Sequence, residues 1–474
     1  MTFPNSQGDR GMPRERFQGR AERHYDREPE RREESYFSDR TGAQRPSARP
    51  TTHSSSRPLY RALCPRGADA QVAAELQRLP GAVDIALVPG AGGVQFRGPL
   101  SVLYRANVDL RCASRVLLQL VDAPCRGAED LYAAAFGLPW EEYLGVQGTL
   151  AVSAHGTLPE VGLSNSMFVA LRVKDAICDR FRARFGRRPD VSVQAPDLRI
   201  HVQLYFAATP GERGGRGTPR MVISIDSSDT PLHERGYRVA SVEAPLKETL
   251  AATFVEIALR GLPPGPPALS ADGSPMLPTI VDLCCGSGTL LVEAGLRVLG
   301  KSPGLLRSGG RARHFGFMGW RGYDRAQFDR VVEEAGRNVV RGAGVFLYGF
   351  DLDRQAISAA RRNLGTAGLS PFSQVQLGDL RTIEPPVVAH TPNEAAPHIV
   401  LCNPPYGERM STPDELVSLY RGLGDTLKRR FTGYSAFVYT ANLDLAKQIG
   451  LRPSARHILF NGPLEGRLLE FKLY

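Results

Sequence analysis

Apolar and polar positions in the second half of the chain follow two alternating patterns. Short apolar runs predict strands at residues 279–283, 345–350, 374–377, 398–402 and 435–439. Segments with a period near 3.6 predict helices at residues 249–259, 289–299, 326–340, 355–364 and 414–430. This order implies an α/β fold with a parallel sheet. Apolar residues alternate with polar ones in the segments 455–460 and 468–473, which lie on either side of Asn461-Gly462. An antiparallel hairpin is therefore expected to close the sheet.

The first half shows an α+β pattern behind a polar tail. Residues 1–57 are rich in Arg, Glu, Asp, Ser and Pro and cannot form a core, so we expect a disordered tail. Strands are predicted at residues 93–97, 116–120, 149–154, 198–204 and 221–225, the last two pairing around a loop at residues 211–216. Helices are predicted at residues 68–79, 99–107 and 165–185, and residues 131–136 are expected beside a turn.

The predicted helix at residues 165–185 concentrates positive charge. Its apolar stripe consists of residues four apart, namely Val169, Val173, Ile177, Phe181 and Phe185. Basic side chains cover its other faces and its end, namely Arg172, Lys174, Arg180, Arg182, Arg184, Arg187 and Arg188. A solvated basic face and direct contact with RNA phosphates explain this pattern equally well.

A glycine turn between the strand at residues 279–283 and the next helix predicts a ligand site. Asp282 precedes the turn, which contains Cys285, Gly286, Ser287, Gly288 and Thr289. Glycines let a ligand approach the backbone, and the helix N-terminus offers free N–H groups. A phosphate loop is not favoured, because the turn has neither a third glycine in Rossmann spacing nor Gly-Lys-Ser/Thr. Asp282 would repel a pyrophosphate but accept hydrogen bonds from an amino group.

Two further acidic residues end neighbouring strands. Asp351 follows the strand at residues 345–350 and is placed to hold ribose hydroxyls. Asp379 follows the strand at residues 374–377, where its carboxylate could accept an adenine amino proton. The predicted ligand therefore has an amine, a ribose and an adenine but no phosphate. S-adenosylmethionine fits this description.

The sequence Asn403-Pro404-Pro405-Tyr406 follows the apolar strand at residues 398–402 and predicts a catalytic loop. An exocyclic amine on a purine is a poor nucleophile because its lone pair is delocalised into the ring. The Asn403 amide oxygen and the Pro404 carbonyl can each accept one amine hydrogen. Pro405 stiffens the backbone, and Tyr406 offers an aromatic face for an unstacked base. An ordinary proline-rich turn is the structural alternative.

Composition narrows the class of protein only slightly. A net charge of +10 and a pI of about 9.4 suit a polyanionic partner, but nearly all the positive charge is arginine, a bias that a GC-rich genome also produces. Seven cysteines without Cys-x-x-Cys, and no secretory segment, predict reduced thiols and a cytoplasmic protein. No membrane span and no metal site are expected.

Cys284 and Cys285 lack a nearby base, so a cysteine nucleophile is not expected. For the aromatic residues 314–321, packing over the sheet edge is favoured over base stacking.

Several longer stretches together match those of a known family. They include Tyr104-Arg105-Ala106-Asn107, Ala195-Pro196-Asp197-Leu198-Arg199-Ile200-His201-Val202, Arg235-Gly236-Tyr237-Arg238, Ala244-Pro245-Leu246-Lys247-Glu248 and Asn403-Pro404-Pro405-Tyr406-Gly407-Glu408-Arg409. From about Leu59 to Tyr474 the chain resembles the guanine-N2 methyltransferase half of the RlmL family of bacterial ribosomal RNA methyltransferases. It departs from the family in lacking the usual proline after Asp282. Many gamma-proteobacterial members continue into a second domain that makes 7-methylguanine, and that activity is not expected of a chain ending at Tyr474.

The resemblance implies a domain order and further site residues. It implies a ferredoxin-like plus THUMP RNA-binding region at residues 58–228, a linker at 229–248, and at 249–474 a class I (Rossmann-like) methyltransferase domain with a mostly parallel seven-stranded sheet. Leu246, Lys247 and Glu248 would lie beside the methionine end of S-adenosylmethionine. With RNA as the implied partner, contacts are expected at Arg180, Arg184, Arg187, Arg188 and Arg199.

The function implied by the resemblance is N2 methylation of a guanine in 23S rRNA, near the peptidyl-transferase centre. The substrate would be free rRNA or a large-subunit assembly intermediate. Alternatives are methylation of guanine N2 in tRNA, or of adenine N6 in DNA or RNA, which shares Asn-Pro-Pro-Tyr. A non-catalytic RNA-binding assembly factor is an alternative of another class. We also expect residues 57–235 to fold and bind RNA as a fragment. The sequence does not indicate an oligomeric state.

Overall fold

A computed structural model of the chain contains two β-sheets, each packed against helices. All residues described belong to one compact unit, Thr52–Tyr474. They are residues 57–88, 92–207, 217–242, 245–262, 275–307, 315–337, 339–340, 344–387, 396–407 and 412–474. The predicted tail at residues 1–57 lies almost entirely outside this set. No helix in the described part of the chain is long and apolar enough to cross a membrane.

Eight strands form the N-terminal sheet. They are β1 Leu59–Leu63, β2 Val83–Leu87, β3 Val94–Arg97, β4 Arg115–Pro124, β5 Thr149–His155, β6 Asp190–Val191, β7 Leu198–Ala207 and β8 Thr218–Asp226. Their order is β2-β3-β1-β4-β8-β7-β5-β6, and only β5 pairs parallel, with β6 and β7. The predicted pairing of β7 with β8 is confirmed, whereas the loop at residues 211–216 is outside the described residues. The strands β1, β2 and β6 were not predicted; β2 and β6 are short and largely exposed.

Four helices pack on this sheet, namely α1 Asp69–Arg78, α2 Leu100–Asp109, α3 Ala128–Gly137 and α4 Ser166–Phe185. The start of α4 is fixed by the Asn165 side chain, which accepts hydrogen bonds from the N–H groups of Met167 and Phe168. Its end is fixed by Gly186, with φ of +66°. The predicted stripe is buried except for Phe185 at its end. The prediction missed α3, whose residues it placed beside a turn.

Seven strands form the C-terminal sheet. They are β9 Thr279–Asp282, β10 Leu347–Asp351, β11 Ser373–Leu377, β12 His398–Cys402, β13 Ser435–Thr440, β14 Ala455–Asn461 and β15 Leu464–Lys472. Their order is β11-β10-β9-β12-β13-β15-β14, with only β15 antiparallel to its neighbours. The mostly parallel sheet and its closing hairpin are therefore confirmed. Every residue of the central strands β9 and β12 is buried, as expected where both sheet faces are covered.

Six helices follow in the second half of the chain, namely α5 Glu248–Ala258, α6 Thr289–Val298, α7 Arg325–Arg337, α8 Arg354–Thr366, α9 Pro413–Arg430 and α10 Leu443–Gln448. Of these, α7 packs against α2 and the core of the N-terminal sheet. The prediction located the first five to within three residues. A capping box starts α9, in which the Thr412 side chain and Glu415 satisfy each other's backbone N–H groups. The prediction missed α10, because its six residues are too few to show a helical period.

The aromatic segment before α7 packs into the core of the N-terminal sheet. Phe317, together with Phe328 of α7, contacts Tyr104 of α2, and the rings of Tyr104 and Phe317 lie 4.5 Å apart. Phe315 stacks on Phe317 with the ring centroids 5.2 Å apart. The backbone N–H of Phe317 donates to the carbonyl of Ser227, 3.2 Å away at the end of β8. Packing of these aromatic residues is thus confirmed. Their partners, however, belong to the first half of the chain, which periodicity could not show.

Candidate active site

Parallel strands bring the predicted polar residues to one edge of the C-terminal sheet. Asp282 at the end of β9 lies opposite Gly349 of β10 and Leu401 of β12. Asp351 ends β10, and Asn403 follows the last residue of β12. Because the carboxyl ends of parallel strands meet at one edge, these residues lie at the edge where sheets of this type bind ligands.

The turn between β9 and α6 has the backbone shape that its glycines predict. Gly286 and Gly288 have φ of +50° and +80°, a region that residues with a Cβ avoid. A Cβ on Gly288 would also lie only 3.1 Å from that of Ala360. The N–H of Cys285 donates to the carbonyl of Phe350 at 2.9 Å and fixes the turn against β10. No side chain caps α6, so its first N–H groups are left for solvent or a ligand.

Asp282 and Asp351 are both held by backbone N–H groups. Asp282 is 1% exposed and accepts from Cys284 at 3.2 Å. Burial, with the nearby charge of Asp351, raises the pKa of Asp282 to about 8. The two oxygens of Asp351 accept from the N–H groups of Gly286 at 2.8 Å and Asp353 at 3.0 Å. A bound ammonium group would favour the ionised form of Asp282, so the pair fits a ligand that carries an amine.

Asp379 lies beyond β11, as predicted, but already has a partner. The Arg381 Nε lies 2.9 Å and 3.0 Å from its two carboxylate oxygens, and the backbone N–H of Arg381 donates as well. Hydrogen bonds from this guanidinium lower the pKa of Asp379. The carboxylate is therefore ionised near neutral pH and can accept a further hydrogen bond only where Arg381 leaves room.

Arg238 joins the predicted linker residues to the glycine turn. Its guanidinium donates to Glu248 Oε1 at 2.7 Å, to the Leu246 carbonyl at 2.9 Å and to Ser287 Oγ at 3.1 Å. Arg238 thus brings Leu246, Glu248 and Ser287 together, while their predicted contact with the cofactor stays a prediction. Arg238 itself was missed as a site residue, although it stands in one of the stretches that carried the family resemblance.

Asn363 is a second residue that the sequence did not reveal. It is fully buried on α8, and its Oδ1 accepts from the N–H groups of Val239 and Ala240, both at 3.0 Å. Its Nδ2 donates to the carbonyls of Ala240 and Ser287 at 2.8 Å and 2.9 Å. Asn363 therefore fixes the linker against the glycine turn. The only sequence signal is a polar residue on the apolar face of a helix.

Asn403 presents the acceptor that the proposed chemistry requires. Its Oδ1 is buried and has no hydrogen-bond partner among the described residues. The next residue, Pro404, is buried, and Pro405 is half-buried. Tyr406 is half-buried too, and its ring lies 5.9 Å from that of Tyr439 at an angle of 78°. A buried acceptor without a partner is costly, so this oxygen is suited to a donor supplied by a ligand.

The cysteines of the site are unsuited to nucleophilic or metal chemistry. Burial raises the pKa of the Cys285 thiol well above its usual range. A hydrogen bond with Cys284, together with burial, does the same for the Cys402 thiol. Thiols that stay protonated are poor nucleophiles. No group of histidine, cysteine or acidic residues in the described part of the chain could hold a metal ion.

The structure separates the predicted RNA-binding arginines into two groups. Arg180 and Arg184 both form ion pairs with Glu141, and Arg199 donates to Asp229 at 2.9 Å. Arg187 and Arg188 are exposed beyond the end of α4. The first three therefore bind other parts of the protein, which leaves Arg187 and Arg188 more available to a polyanion. Lys247 is exposed and lines a cavity against the N-terminal sheet.

Comparison with known proteins identifies the family. The chain matches an RlmL ferredoxin-like domain at residues 60–117, a THUMP domain at 125–207 and an RMKL-like methyltransferase domain at 235–470. The ribosomal RNA large subunit methyltransferase K/L of Syntrophotalea carbinolica is 38% identical over 419 residues, covering 87% of this chain and 53% of its own. A Synechocystis protein named as a candidate RNA methyltransferase is 36% identical over 415 residues, covering 88% of this chain and 97% of its own. The chain belongs to the RlmL-like methyltransferase family.

Solved structures agree with the RlmL-like fold. A candidate methyltransferase complexed with S-adenosylhomocysteine is 25% identical, with a TM-score of 0.71 over 89% of this chain and 99% of its own. A Listeria monocytogenes protein described as an N6-adenine-specific DNA methylase is also 25% identical, with a TM-score of 0.69 over 88% of this chain and 97% of its own. S-adenosylmethionine is the cofactor of the RlmL-like enzyme. The chain spans about half the length of the K/L relatives it matches.

Proposed function

We propose that this RlmL-like enzyme methylates the exocyclic N2 amine of a guanine in 23S rRNA, in the cytoplasm. Its substrate is free rRNA or a large-subunit assembly intermediate. The names of the K/L relatives support a ribosomal RNA substrate. The observation that carries the chemistry is the buried, unpartnered Oδ1 of Asn403, at the sheet edge that also bears Asp282 and Asp351. The choice of guanine N2 rests on the resemblance of the sequence to RlmL.

The proposed mechanism relies on holding an amine, not on acid–base catalysis. When bound, S-adenosylmethionine would supply a methyl group on a positively charged sulfur, and this sulfur would keep the bonding electron pair. Asn403 Oδ1 and the Pro404 carbonyl accept the two amine hydrogens and turn the nitrogen toward tetrahedral geometry, which frees its lone pair to attack. Positioning for in-line displacement lowers the rest of the barrier. The methylated nitrogen is then acidic and loses a proton to solvent.

The other predicted site residues serve mainly to bind. We assign Asp351 to the ribose hydroxyls, Asp282 to the ammonium group and Asp379 to the adenine amine of the cofactor. Leu246 and Glu248, tied to Ser287 through Arg238, lie beside the methionine end, and Tyr406 stacks on the target base. Residues 58–228 then hold the RNA, with Arg187 and Arg188 the favoured phosphate contacts. Residues 249–474 carry the chemistry, joined by the linker at residues 229–248.

Adenine N6 is the second candidate target. It is favoured by the description of the Listeria structure, and an adenine amine would meet the same two acceptors. The THUMP domain match favours RNA over DNA as the nucleic acid that contains the target adenine. Guanine N2 in tRNA remains an alternative that the geometry does not oppose. A non-catalytic assembly factor would have no use for the retained Asp282, Asp351 and Asn403.

Product analysis tests the proposal. The purified chain is incubated with S-adenosylmethionine and an unmethylated 23S rRNA transcript, and the RNA is digested to nucleosides for mass spectrometry. We expect N2-methylguanosine, much slower formation of it with Asn403→Ala, and far less of it on a tRNA transcript. N6-methyladenosine as the product, or tRNA as the better substrate, would replace the proposal with the corresponding alternative. No methylation of free rRNA, but methylation of large-subunit precursor particles, would make the particle the substrate.

A further inference from the structure

A cavity of about 270 Å³ lies between the N-terminal sheet, the start of α5 and the β14–β15 turn. We call it the basic cavity and define it by Arg66, Arg115, His233, Lys247, Thr249 and Phe460, which come from all of these elements. A water molecule in the liquid takes about 30 Å³, so the cavity has room for a phosphate group and the sugar beside it. It lies outside the set of strand ends assigned to the cofactor.

The charge of the basic cavity is positive. Its lining includes Arg66, Arg115 and Lys247 and no described carboxylate. Arg115 is partly neutralised by its ion pair with Asp226. Arg66 and Lys247, in contrast, have no ion pair with any described residue. Two unneutralised cations at one cavity are suited to an anion.

Arg66 is also held in place. Its guanidinium lies over the Phe460 ring, 4.0 Å from the ring centroid, and its carbonyl accepts from the N–H of Phe460 at 3.2 Å. Stacking on a ring face fixes the guanidinium plane and leaves its N–H edge free to donate. The aromatic contact therefore preorganises the charge without neutralising it.

The first turn of α5 adds a second favourable feature. Thr249 and Leu250 line the cavity, and no side chain caps the helix. The N–H of Leu250 already donates to the Lys247 carbonyl at 3.0 Å, so the N–H groups of Glu248 and Thr249 are the ones left without an intrahelical partner. The helix dipole makes this end positive. Lys247 stands at the N-cap position, so its ammonium group, the helix end and the Arg66 guanidinium all favour negative charge at the same place.

We propose that the basic cavity binds a backbone phosphate of the substrate RNA. This inference rests on the proposed function. Glu248, next to Lys247, accepts from Arg238, which also donates to Ser287 of the glycine turn. A phosphate bound at the cavity thus anchors the RNA on the helix whose first residue supports the cofactor turn. Lys247 is thereby assigned to the RNA and no longer to the cofactor. The basic cavity also adds a phosphate site, whereas Arg180, Arg184 and Arg199 are occupied by acidic residues of the protein itself.

Binding measurements with an in-vitro 23S rRNA transcript test this proposal without requiring methylation. The variants are Arg66→Gln and Lys247→Gln. The matched control is Arg429→Gln, an exposed arginine on α9 outside the cavity lining. We expect each cavity variant to raise the RNA dissociation constant on the order of threefold to tenfold at low salt and to lower the salt slope by about one. S-adenosylmethionine affinity should be unchanged, and Arg66→Lys, which keeps the charge but not the stacked guanidinium, should restore only part of the RNA affinity.

Three results would overturn the proposal. One is an unchanged RNA dissociation constant in both cavity variants, and another is an equal effect in Arg429→Gln. The third is a loss of S-adenosylmethionine affinity in Lys247→Gln without an effect on RNA, which would return Lys247 to the cofactor site. Lys247 is exposed, so its substitution should not impair folding even if Arg66→Gln does. A product other than N2-methylguanosine would contradict the proposed function and leave this binding result standing.

Discussion

Asp282 is the residue whose burial is hardest to explain without a ligand. A carboxyl group removed from water and placed near the charge of Asp351 is destabilised in its ionised form, so its pKa rises to about 8. Its hydrogen bond from the N–H of Cys284 offsets only part of this effect. A positively charged group in the crevice would remove the penalty. The burial of this carboxyl group therefore supports the proposed contact with the ammonium group of S-adenosylmethionine.

This assignment predicts a pH-dependent affinity. Below pH 8 the carboxyl group of Asp282 is mostly protonated in the free protein, so binding an ammonium group must release one proton. As the pH rises from 5.5 to 7, the dissociation constant for S-adenosylmethionine should fall roughly tenfold per pH unit. The α-amino group of the ligand stays charged over this range. Calorimetry over this range measures it. Asp282→Asn should bind weakly with little pH dependence, and a pH-independent wild-type affinity would contradict the assignment.

The site residues that could be identified from the sequence include those at the ends of predicted strands. Asp282, Asp351 and Asn403 follow apolar runs, and parallel strands bring such positions together whatever the details of packing. Arg238 and Asn363 could not be identified in this way. Their partners depend on how the linker folds back on α8, and no period or motif in the sequence encodes that contact.

At the scale of elements, the sequence predicted most helices and strands because their apolar faces are regular. It failed for β2, β6 and α10, which are short and partly exposed, and also for the buried strand β1 and the helix α3. It also could not show where the segment preceding α7 packs. That segment belongs to the second half of the chain by sequence, yet its aromatic side chains complete the core of the first half.

This packing predicts a large effect of a single substitution. Phe317→Ala should lower the free energy of unfolding by about 3–5 kcal/mol, because it removes a fully buried ring that contacts Tyr104 and Phe328. Phe185→Ala is the matched control, since that ring is 46% exposed and its loss should have a small effect. Urea unfolding measures both. Equal effects of the two substitutions would mean that Phe317 does not hold the two halves together.

At the scale of the whole molecule, side chains from the second half of the chain complete the core of the first half. The sequence suggested that residues 57–235 would fold and bind RNA as a fragment. The structure argues against this expectation, because the fragment lacks Phe315, Phe317 and Phe328 and would expose Tyr104 to water. Contacts between distant parts of a chain are the feature that local patterns predict least.

We therefore expect the fragment of residues 57–235 to show no cooperative thermal transition, whereas the whole chain does. Near-ultraviolet circular dichroism during heating measures this difference, because it reports fixed aromatic packing. RNA binding by the fragment should be correspondingly weak. A sharp transition in the fragment, with RNA affinity close to that of the whole chain, would show that the aromatic segment is dispensable for the N-terminal core.

The central claim is that Asn403 holds the amine that is methylated, and single-turnover methylation of 23S rRNA by Asn403→Ala tests it most directly. The rate should fall by about 10²–10³, because the amide oxygen assists only as the nitrogen becomes tetrahedral. Affinities for S-adenosylmethionine and RNA should stay nearly unchanged. Tyr406→Ala, as a comparison, should weaken RNA engagement by about 1–3 kcal/mol through lost stacking. A wild-type rate in Asn403→Ala would contradict the account and require another catalytic centre.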